Sequence, residues 1–191
     1  VIVTHGNGPQ VGLMALQDAA YDRSLASPFD VLIAESAGMI GYLIEQELAN
    51  LFPSEKLFAT LLTEIEIDPQ DPAFINPAKP VGPVYGKEEA VMLAKAQGWT
   101  IGPDGDNYRR LVASPLPKRI LQIEIIEMLV KQGVTIICAG GGGIPVAPLA
   151  GGGHTGVEAV IDKDRTSALL ATQLRADALL ILTDVEGVFL D

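Results

Sequence analysis

Two apolar, strand-like segments run directly into glycine-rich loops, and this pattern restricts the possible folds more than any other feature of the chain. Residues 1–4 lead into "HGNGPQVG", and "VTIICA" leads into "GGGGIPV". Pro9 suits the first turn of a helix, so the first loop is predicted to end at a helix N-terminus. Junctions of this kind are where α/β proteins bind phosphate and other small anions.

The rest of the chain alternates near-continuous apolar strands with helices, which favours a mostly parallel sheet covered on both faces. We therefore predict an α/β fold in which both glycine loops face one crevice. A first helix is predicted to end near Arg23, and "SPFD" is a break with Ser27 or Asp30 available as a cap. The other predicted helices are about 31–51, "QIEIIEMLVKQ" and "DKDRTSALLATQL", and further predicted strands are "KLFATLLTEIEI" and "ALLILT".

A proline-rich stretch interrupts this alternation. Eight of the 13 prolines lie between Pro69 and Pro117, together with a short predicted helix, "KEEAVMLAKAQ". We interpret the stretch as an inserted subdomain or lid, and the alternative is a long surface loop. Loops of that length without structure are uncommon in compact domains.

Composition narrows the class of protein. The 191 residues are 48% hydrophobic, enough to bury a full core, and the formal net charge of −11 argues against nucleic acid and anionic membranes as partners. Cys138 stands alone, so a disulfide framework is impossible, and we expect a cytoplasmic protein. The most apolar predicted helix segment, "VLIAESAGMIGYLI", is shorter than the roughly 20 residues that span a bilayer. His5 and His154 lack partners at metal-ligand spacing.

The first glycine loop predicts an anion site. Gly6 and Gly8 allow backbone N–H groups to face outward at a helix start, and Asn7 tolerates unusual backbone and adds an amide. The spacing matches neither the dinucleotide fingerprint nor a P-loop. A tight strand–helix turn without a ligand is the alternative. The four glycines from Gly140 are costly to order, so a ligand or another backbone is expected to approach them closely.

Charged residues near these loops carry alternatives as well. Lys163 stands between Asp162 and Asp164 at a predicted helix start, where lysine opposes the helix dipole. It is either incidental to a charged N-cap or a clamp for a transferring phosphoryl group. Lys79 alone is an ordinary surface lysine. The basic segment "YRRLVASPLPKR" either pairs with local carboxylates or faces a substrate. In the second helix, Gly38 and its small neighbours indicate either helix–sheet packing or a subunit contact.

Seven segments, in order, resemble motifs of the carbamate kinases, which are members of the amino acid kinase family: "THGNGPQVG", "SAGMIGYL", "KPVGPVY", "RRLVASPLP", "GGGGIPV", "GVEAVIDKD" and "LTDVEGVF". The resemblance implies a three-layer α/β/α sandwich with a mostly parallel central sheet, usually as a homodimer. The stretch 69–117 would be a protruding subdomain over the substrate site. The implied reaction is reversible phosphoryl transfer between ATP or ADP and carbamate or carbamoyl phosphate, with Mg²⁺.

The resemblance also implies roles for individual residues. The first loop would hold the carbamate or the transferring phosphoryl group, through Gly6, Asn7 and Gly8. The catalytic lysines would be Lys79, reaching in from the subdomain, and Lys163, with Asp164 organising them. A second loop would line the substrate site through Gly141, Gly142 and Gly143, and the nucleotide pocket would begin with Thr183, Asp184 and Gly187.

Parts of the family pattern lie outside the sequence. A first strand with a Gly-Gly-Asn loop would precede Val1, and a further lysine would follow Asp191, so we expect 1–191 to be an amino acid kinase domain that is partial at both ends. Ala37 and Ala113 replace a common Gln and Pro. The alternatives are another amino acid kinase that acts on a carboxylate, or an inactive fragment that binds nucleotide or only dimerises.

Overall fold

The structure of the protein is a computed structural model that describes residues 1–21 and 27–183. Its helices are α1 (Gly8–Tyr21), α2 (Phe29–Leu51), α3 (Lys87–Gln97), α4 (Ile123–Lys131) and α5 (Lys163–Gln173). Its strands are β1 (Ile2–Val3), β2 (Phe58–Thr60), β3 (Glu64–Glu66), β4 (Lys79–Tyr85), β5 (Thr100–Asp104), β6 (Asn107–Val112), β7 (Arg119–Ile120), β8 (Thr135–Ile137), β9 (Ile144–Pro148) and β10 (His154–Gly156).

Two parallel runs form the centre of the fold. β8 lies between β1 and β2 and is parallel to both, and β3 is parallel to β9. β3 follows β2 and β9 follows β8, each after a short break in the strand. The two breaks are side by side, and there Thr63 Oγ1 accepts a hydrogen bond from Ala139 N at 2.9 Å. Antiparallel strands β7 and β10 close the outer edges of the second ladder. The predicted α/β class with a mostly parallel sheet is confirmed.

Helices cover both faces of the sheet, which gives the predicted three layers. One apolar cluster joins Ile126 of α4 and Leu170 of α5 to Ile65 and Ile136 of the sheet. α2 lies against β2, β8 and β9, and a second cluster joins Leu32 and other apolar residues of α1 and α2 to β4 and β6. These strands are rich in isoleucine because β-branched side chains pack well on a pleated surface that is buried on both sides.

The second helix confirms one alternative and corrects a boundary. α2 begins at Phe29 with Pro28 as its N-cap and no side-chain cap, so neither Ser27 nor Asp30 has the predicted role. A Cβ on Gly41 would collide with Thr60 of β2, so this glycine lets the helix approach the sheet. The predicted end of the first helix, near Arg23, lies outside the described residues.

The last predicted strand is wrong within the part of the chain that the structure describes. Residues 178–183 join no ladder, and Leu180 and Leu182 are 82% and 93% exposed. An apolar run becomes a strand only when a neighbour exchanges backbone hydrogen bonds with it. The predicted strand at 56–67 is present but divided into β2 and β3.

The proline-rich stretch contains an ordered antiparallel sheet. β6 lies between β4 and β5, and α3 packs against β5 and β6. Proline is tolerated in β4 because the strand is at the edge of this sheet and its register shifts between Val81 and Tyr85. The stretch is therefore not a structureless loop, while its behaviour as a separate, moving subdomain stays a prediction. No helix within residues 1–21 and 27–183 is long and apolar enough to cross a bilayer.

Candidate active site

The first glycine loop lies at the carboxyl end of β1 and continues into α1. Asn7 O accepts the hydrogen bond from Val11 N at 2.9 Å, which closes the first helical turn. The Asn7 side chain is buried, and its Nδ2 donates to Ser36 Oγ of α2 at 2.8 Å. Gly6 and Gly8 remain exposed on either side of it. The loop is thus anchored by one buried amide and open at its two glycines.

The second glycine loop lies directly behind the first. Gly141 N donates to His5 O at 2.8 Å, and a Cβ on Gly140 or Gly141 would collide with His5 or Asn7. A Cβ on Gly142 would collide with the backbone of Ile161. These positions are therefore glycine because other segments of the same chain approach them closely. The predicted substrate residues Gly141, Gly142 and Gly143 are buried as a support for the first loop.

The N-terminus of α5 completes this edge of the sheet. Asp162 caps the helix, accepting from Asp164 N at 3.0 Å and Arg165 N at 3.2 Å. Thr166 Oγ1 donates to Gly142 O at 2.8 Å, so the helix start is tied to the second loop. Lys163 lies against the first loop, because a Cβ on Gly6 would be 3.4 Å from Lys163 Cδ.

Two lysine–aspartate pairs meet at this helix start. Lys163 Nζ lies 2.6 Å from Oδ1 of Asp164, and both side chains are about half exposed. Lys79 arrives from β4, and its Nζ lies 2.7 Å from Oδ2 of Asp162. The predicted catalytic residues are therefore brought to one place, although each lysine has its own aspartate. Sequence reasoning assigned Asp164 to both lysines and gave Asp162 no role in the site.

Asp162 remains ionised at this position. Burial raises the pKa of its carboxyl group, but the Lys79 hydrogen bond and the backbone N–H groups of Arg165 and Asp164 together outweigh burial, and the net pKa is lowered. A carboxylate that is hydrogen-bonded in its charged form stays charged across the neutral range. Asp162 can therefore hold the Lys79 ammonium in place while also capping α5.

Three basic residues of this segment pair with carboxylates, of which Asp104 is near in sequence and Asp68 and Glu66 lie 50 and 53 residues away. Arg109 NH2 lies 2.9 Å from Asp104, Lys118 Nζ lies 2.7 Å from Asp68, and Arg119 NH2 lies 2.6 Å from Glu66. This confirms the alternative of a solvated face for these residues. Arg110 is different, since its guanidinium lies between two aromatic rings.

The predicted nucleotide pocket is only partly within the described chain. Thr183 is exposed and is the last described residue, while Asp184 and Gly187 lie outside the described residues. Among residues 1–21 and 27–183, no group of three or more His, Cys, Asp or Glu side chains is placed to hold a metal ion. The site carboxylates Asp162 and Asp164 instead accept from lysines. These residues fit an anion that is held by ammonium and backbone N–H groups.

Comparisons with known proteins agree on a family. The amino acid kinase family model matches residues 1–191. The carbamate kinase of Haemophilus influenzae is 59% identical over 191 residues, covering 100% of this chain and 62% of the relative. That of Pyrococcus furiosus is 47% identical over 197 residues, again covering 100% of this chain and 62% of the relative. The chain thus spans about three-fifths of the length of these curated relatives.

Solved structures give the same result for the fold. The carbamate kinase from Giardia lamblia bound to citric acid has a TM-score of 0.90 at 42% identity, covering 97% of this chain and 61% of that chain. The same enzyme bound to AMP-PNP has a TM-score of 0.83, covering 97% of this chain and 60% of that chain.

Proposed function

The chain belongs to the amino acid kinase family, and from that premise we propose that the protein carrying it is a carbamate kinase. It transfers a phosphoryl group reversibly between ATP and carbamate, forming ADP and carbamoyl phosphate. Relatives named carbamate kinase, 47–59% identical across the matched length, support the proposal. The observation that carries it is the pair of lysines, Lys79 and Lys163, held by aspartates beside the exposed first loop.

The reaction needs little covalent chemistry from the protein. An oxygen of carbamate attacks the γ-phosphorus of ATP, the bond to the β–γ bridging oxygen breaks, and ADP leaves. The work is to align these three atoms and to neutralise charge on the transferring group. Mg²⁺ enters as part of the nucleotide substrate, bound to its phosphates.

Each residue of the site has a distinct task in this proposal. Lys163 stabilises charge on the transferring phosphoryl oxygens from the side of α5. Lys79 does so from the side of β4. The N–H groups of the first loop contact the phosphoryl group or carbamate, since Gly6 and Gly8 leave that backbone open. Asp162 and Asp164 keep the ammonium groups pointed at the site and lower the entropy lost when the anion arrives.

The nucleotide pocket and the assembly are part of the same proposal. Thr183, Asp184 and Gly187 would begin the pocket for the nucleotide, and the AMP-PNP bound to the Giardia lamblia enzyme supports a nucleotide site in this family. We propose a homodimer, which light scattering on the purified protein would test.

The activity is tested with the intact protein that carries this chain. Purified enzyme, ADP, Mg²⁺ and carbamoyl phosphate are expected to produce ATP in a hexokinase-coupled assay, with the reaction abolished by EDTA. A protein without this turnover that phosphorylates N-acetylglutamate or another carboxylate would instead be a different amino acid kinase. Nucleotide binding by calorimetry without any turnover would favour a catalytically inactive protein.

A further inference from the structure

Arg110 joins two parts of the structure through its guanidinium plane. Its Cζ lies 4.8 Å from the centre of the Phe29 ring and 4.8 Å from that of the Trp99 ring. Phe29 is buried at the first turn of α2, and Trp99 follows α3 in the proline-rich stretch. The side chain of Arg110 is 23% exposed. One cation therefore bridges an aromatic ring of the main layers and one beside the antiparallel sheet.

Glu158 extends this bridge toward the candidate active site. Its Oε1 lies 3.8 Å from Arg110 NH2, and its Oε2 accepts from Phe29 N at 2.9 Å. Burial lowers the pKa of Arg110, while Glu158 and Tyr85 act in the opposite direction. An arginine remains charged at neutral pH despite such a shift, because the ordinary pKa of its guanidinium group is far above neutral pH. Both the stacking and the ion pair are therefore present at neutral pH.

The strand register connects Arg110 to Lys79. In the β4–β6 ladder Arg110 is opposite Val81, and Lys79 is opposite Val112. The next residue after β6, Ala113, accepts from Val160 N at 3.0 Å. The segment before α5 is thus hydrogen-bonded to the end of the same strand that carries Arg110.

Two ion pairs consequently join the antiparallel sheet to the segment before α5. Arg110 and Lys79 lie on neighbouring strands, and their partners, Glu158 and Asp162, lie four residues apart in the segment that leads into α5. The Arg110–Glu158 pair holds β6, and β6 is hydrogen-bonded to β4. This pair therefore limits how far β4 can slide or tilt relative to α5. A displacement of about 1 Å at a group that contacts the reacting atoms can lower turnover by about 100-fold.

We propose that Arg110 is a positioning residue, which holds β4 so that Lys79 stays at the start of α5. This inference rests on the proposed function for Lys79. Arginine suits the position because its guanidinium group can lie over two aromatic rings and also form an ion pair with a carboxylate. The proposal separates Arg110 from its neighbour Arg109, which pairs with Asp104 inside the β5–β6 hairpin.

Kinetics on the intact protein test the proposal. Arg110→Met is expected to lower kcat by about 10- to 100-fold while the KM for ADP changes by less than about twofold, because Lys79 is displaced but the nucleotide site is untouched. Arg110→Lys keeps the charge without the stacking, and it should fall between Arg110→Met and wild type. Arg109→Met is the matched control and should keep wild-type kcat.

A double-mutant cycle distinguishes positioning from a general loss of stability. In a Lys79→Ala background, Arg110→Met should lower kcat no further, because the group that it positions is already absent. An additive loss would overturn the proposal, as would wild-type kcat in a folded Arg110→Met protein. If Arg110→Met does not fold, the same cycle is run with Arg110→Lys, and the same two outcomes decide.

A readout without substrate keeps this inference separable from the proposed function. Trp99 is the single tryptophan of the chain. Its emission, taken as the difference from a Trp99→Phe protein, should change in Arg110→Met and not in Arg109→Met. Hydrogen exchange at β4 should become faster in the same variant. If emission and hydrogen exchange both change as expected but carbamoyl phosphate is not a substrate, only the proposed function fails. If neither changes, the role of Arg110 itself is refuted.

Discussion

Gly12 of α1 and Gly82 of β4 lie in direct backbone contact. A Cβ on Gly12 would lie 2.7 Å from Gly82 N and would also collide with Gly82 Cα, and Gly82 has a φ of +74°. α1 begins at the first glycine loop, and β4 carries Lys79. This contact therefore joins the loop that is open to an anion with the strand that brings a lysine to it.

Gly12→Ala is predicted to destabilise the protein although alanine favours helices. Overpacking against a backbone that cannot turn away costs about 1–3 kcal/mol, against a gain of about 1 kcal/mol in helix propensity. The control is Gly38→Ala in α2, where the added Cβ would be 3.9 Å from Leu62 Cδ2, an ordinary contact. Urea unfolding of both variants measures the effect. Equal stability of Gly12→Ala and Gly38→Ala would contradict the close contact.

Glu66 gives a prediction about pH. The hydrogen bond from Arg119, followed by that from His154, holds the pKa of this carboxyl group below its ordinary value. A lowered folded-state pKa contributes stability above the unfolded-state pKa, and that contribution is lost as pH falls through the folded value. Glu66→Gln should therefore lower stability at pH 7 by about 0.5–1 kcal/mol and flatten the acid limb of the stability curve.

Denaturant titrations between neutral and acidic pH check this sign. Glu55→Gln is the control, because the exposed Glu55 carboxylate accepts, among residues 1–21 and 27–183, only from the hydroxyl of its neighbour Ser54 at 3.3 Å. It should change stability at pH 7 by less than about 0.5 kcal/mol. A Glu66→Gln protein that loses stability in acid as steeply as the wild type would show that Glu66 does not contribute.

The sequence was sufficient for the fold class and for the location of the candidate site. Strands that lead directly into glycine loops are compatible with few folds. In the structure the two loops lie next to each other, and the start of α5 supports them. The sequence does not indicate side-chain contacts between residues that are far apart in the chain. A charged N-cap at 162–164 is one of the alternatives that the sequence offers, but nothing local indicates that Lys79 reaches the second oxygen of Asp162, 83 residues away.

The failures have physical causes of the same kind. The stretch 178–183 has a strand's composition, but its pairing depends on a partner that composition cannot specify. The four-glycine run left a ligand and another backbone as alternatives, and the backbone of Ile161 with the side chains of His5 and Asn7 explains most of it. The sandwich of Arg110 between Phe29 and Trp99 requires the folded arrangement of three elements, and "YRRLVASPLPKR" alone shows only a basic cluster.

Lys163→Ala is predicted to affect turnover far more than nucleotide binding. Loss of one electrostatic donor to the transferring group should lower kcat by about 10²- to 10³-fold, or roughly 3–4 kcal/mol. Steady-state kinetics on the intact protein measure this, with thermal melts to exclude unfolding. Lys131→Ala, which removes a lysine from α4 that pairs with Glu127 at 2.8 Å, is the control. Wild-type turnover in a folded Lys163→Ala protein would remove Lys163 from the proposed mechanism.

Asp162 allows its two tasks to be measured separately. It caps α5 through Oδ1 and holds Lys79 through Oδ2. Asparagine caps helices about as well as aspartate, so Asp162→Asn should keep the contribution of the N-cap to the free energy of unfolding and lose only the contribution of the Lys79 ion pair. The same change removes the negative charge that faces Lys79 Nζ, so kcat should fall while the melting temperature falls less than in Asp162→Ala.

Asp162→Ala completes the comparison, because it removes the cap as well. Loss of a helix N-cap costs about 1 kcal/mol, so this variant should lose stability in addition to turnover. If Asp162 acts only as a cap, the order reverses: Asp162→Asn keeps full turnover, and Asp162→Ala loses activity only in proportion to its unfolded fraction. A kcat for Asp162→Asn that equals wild type would therefore assign the Lys79 pair to structure alone and leave Lys163 with Asp164 as the charged pair that matters for the reaction.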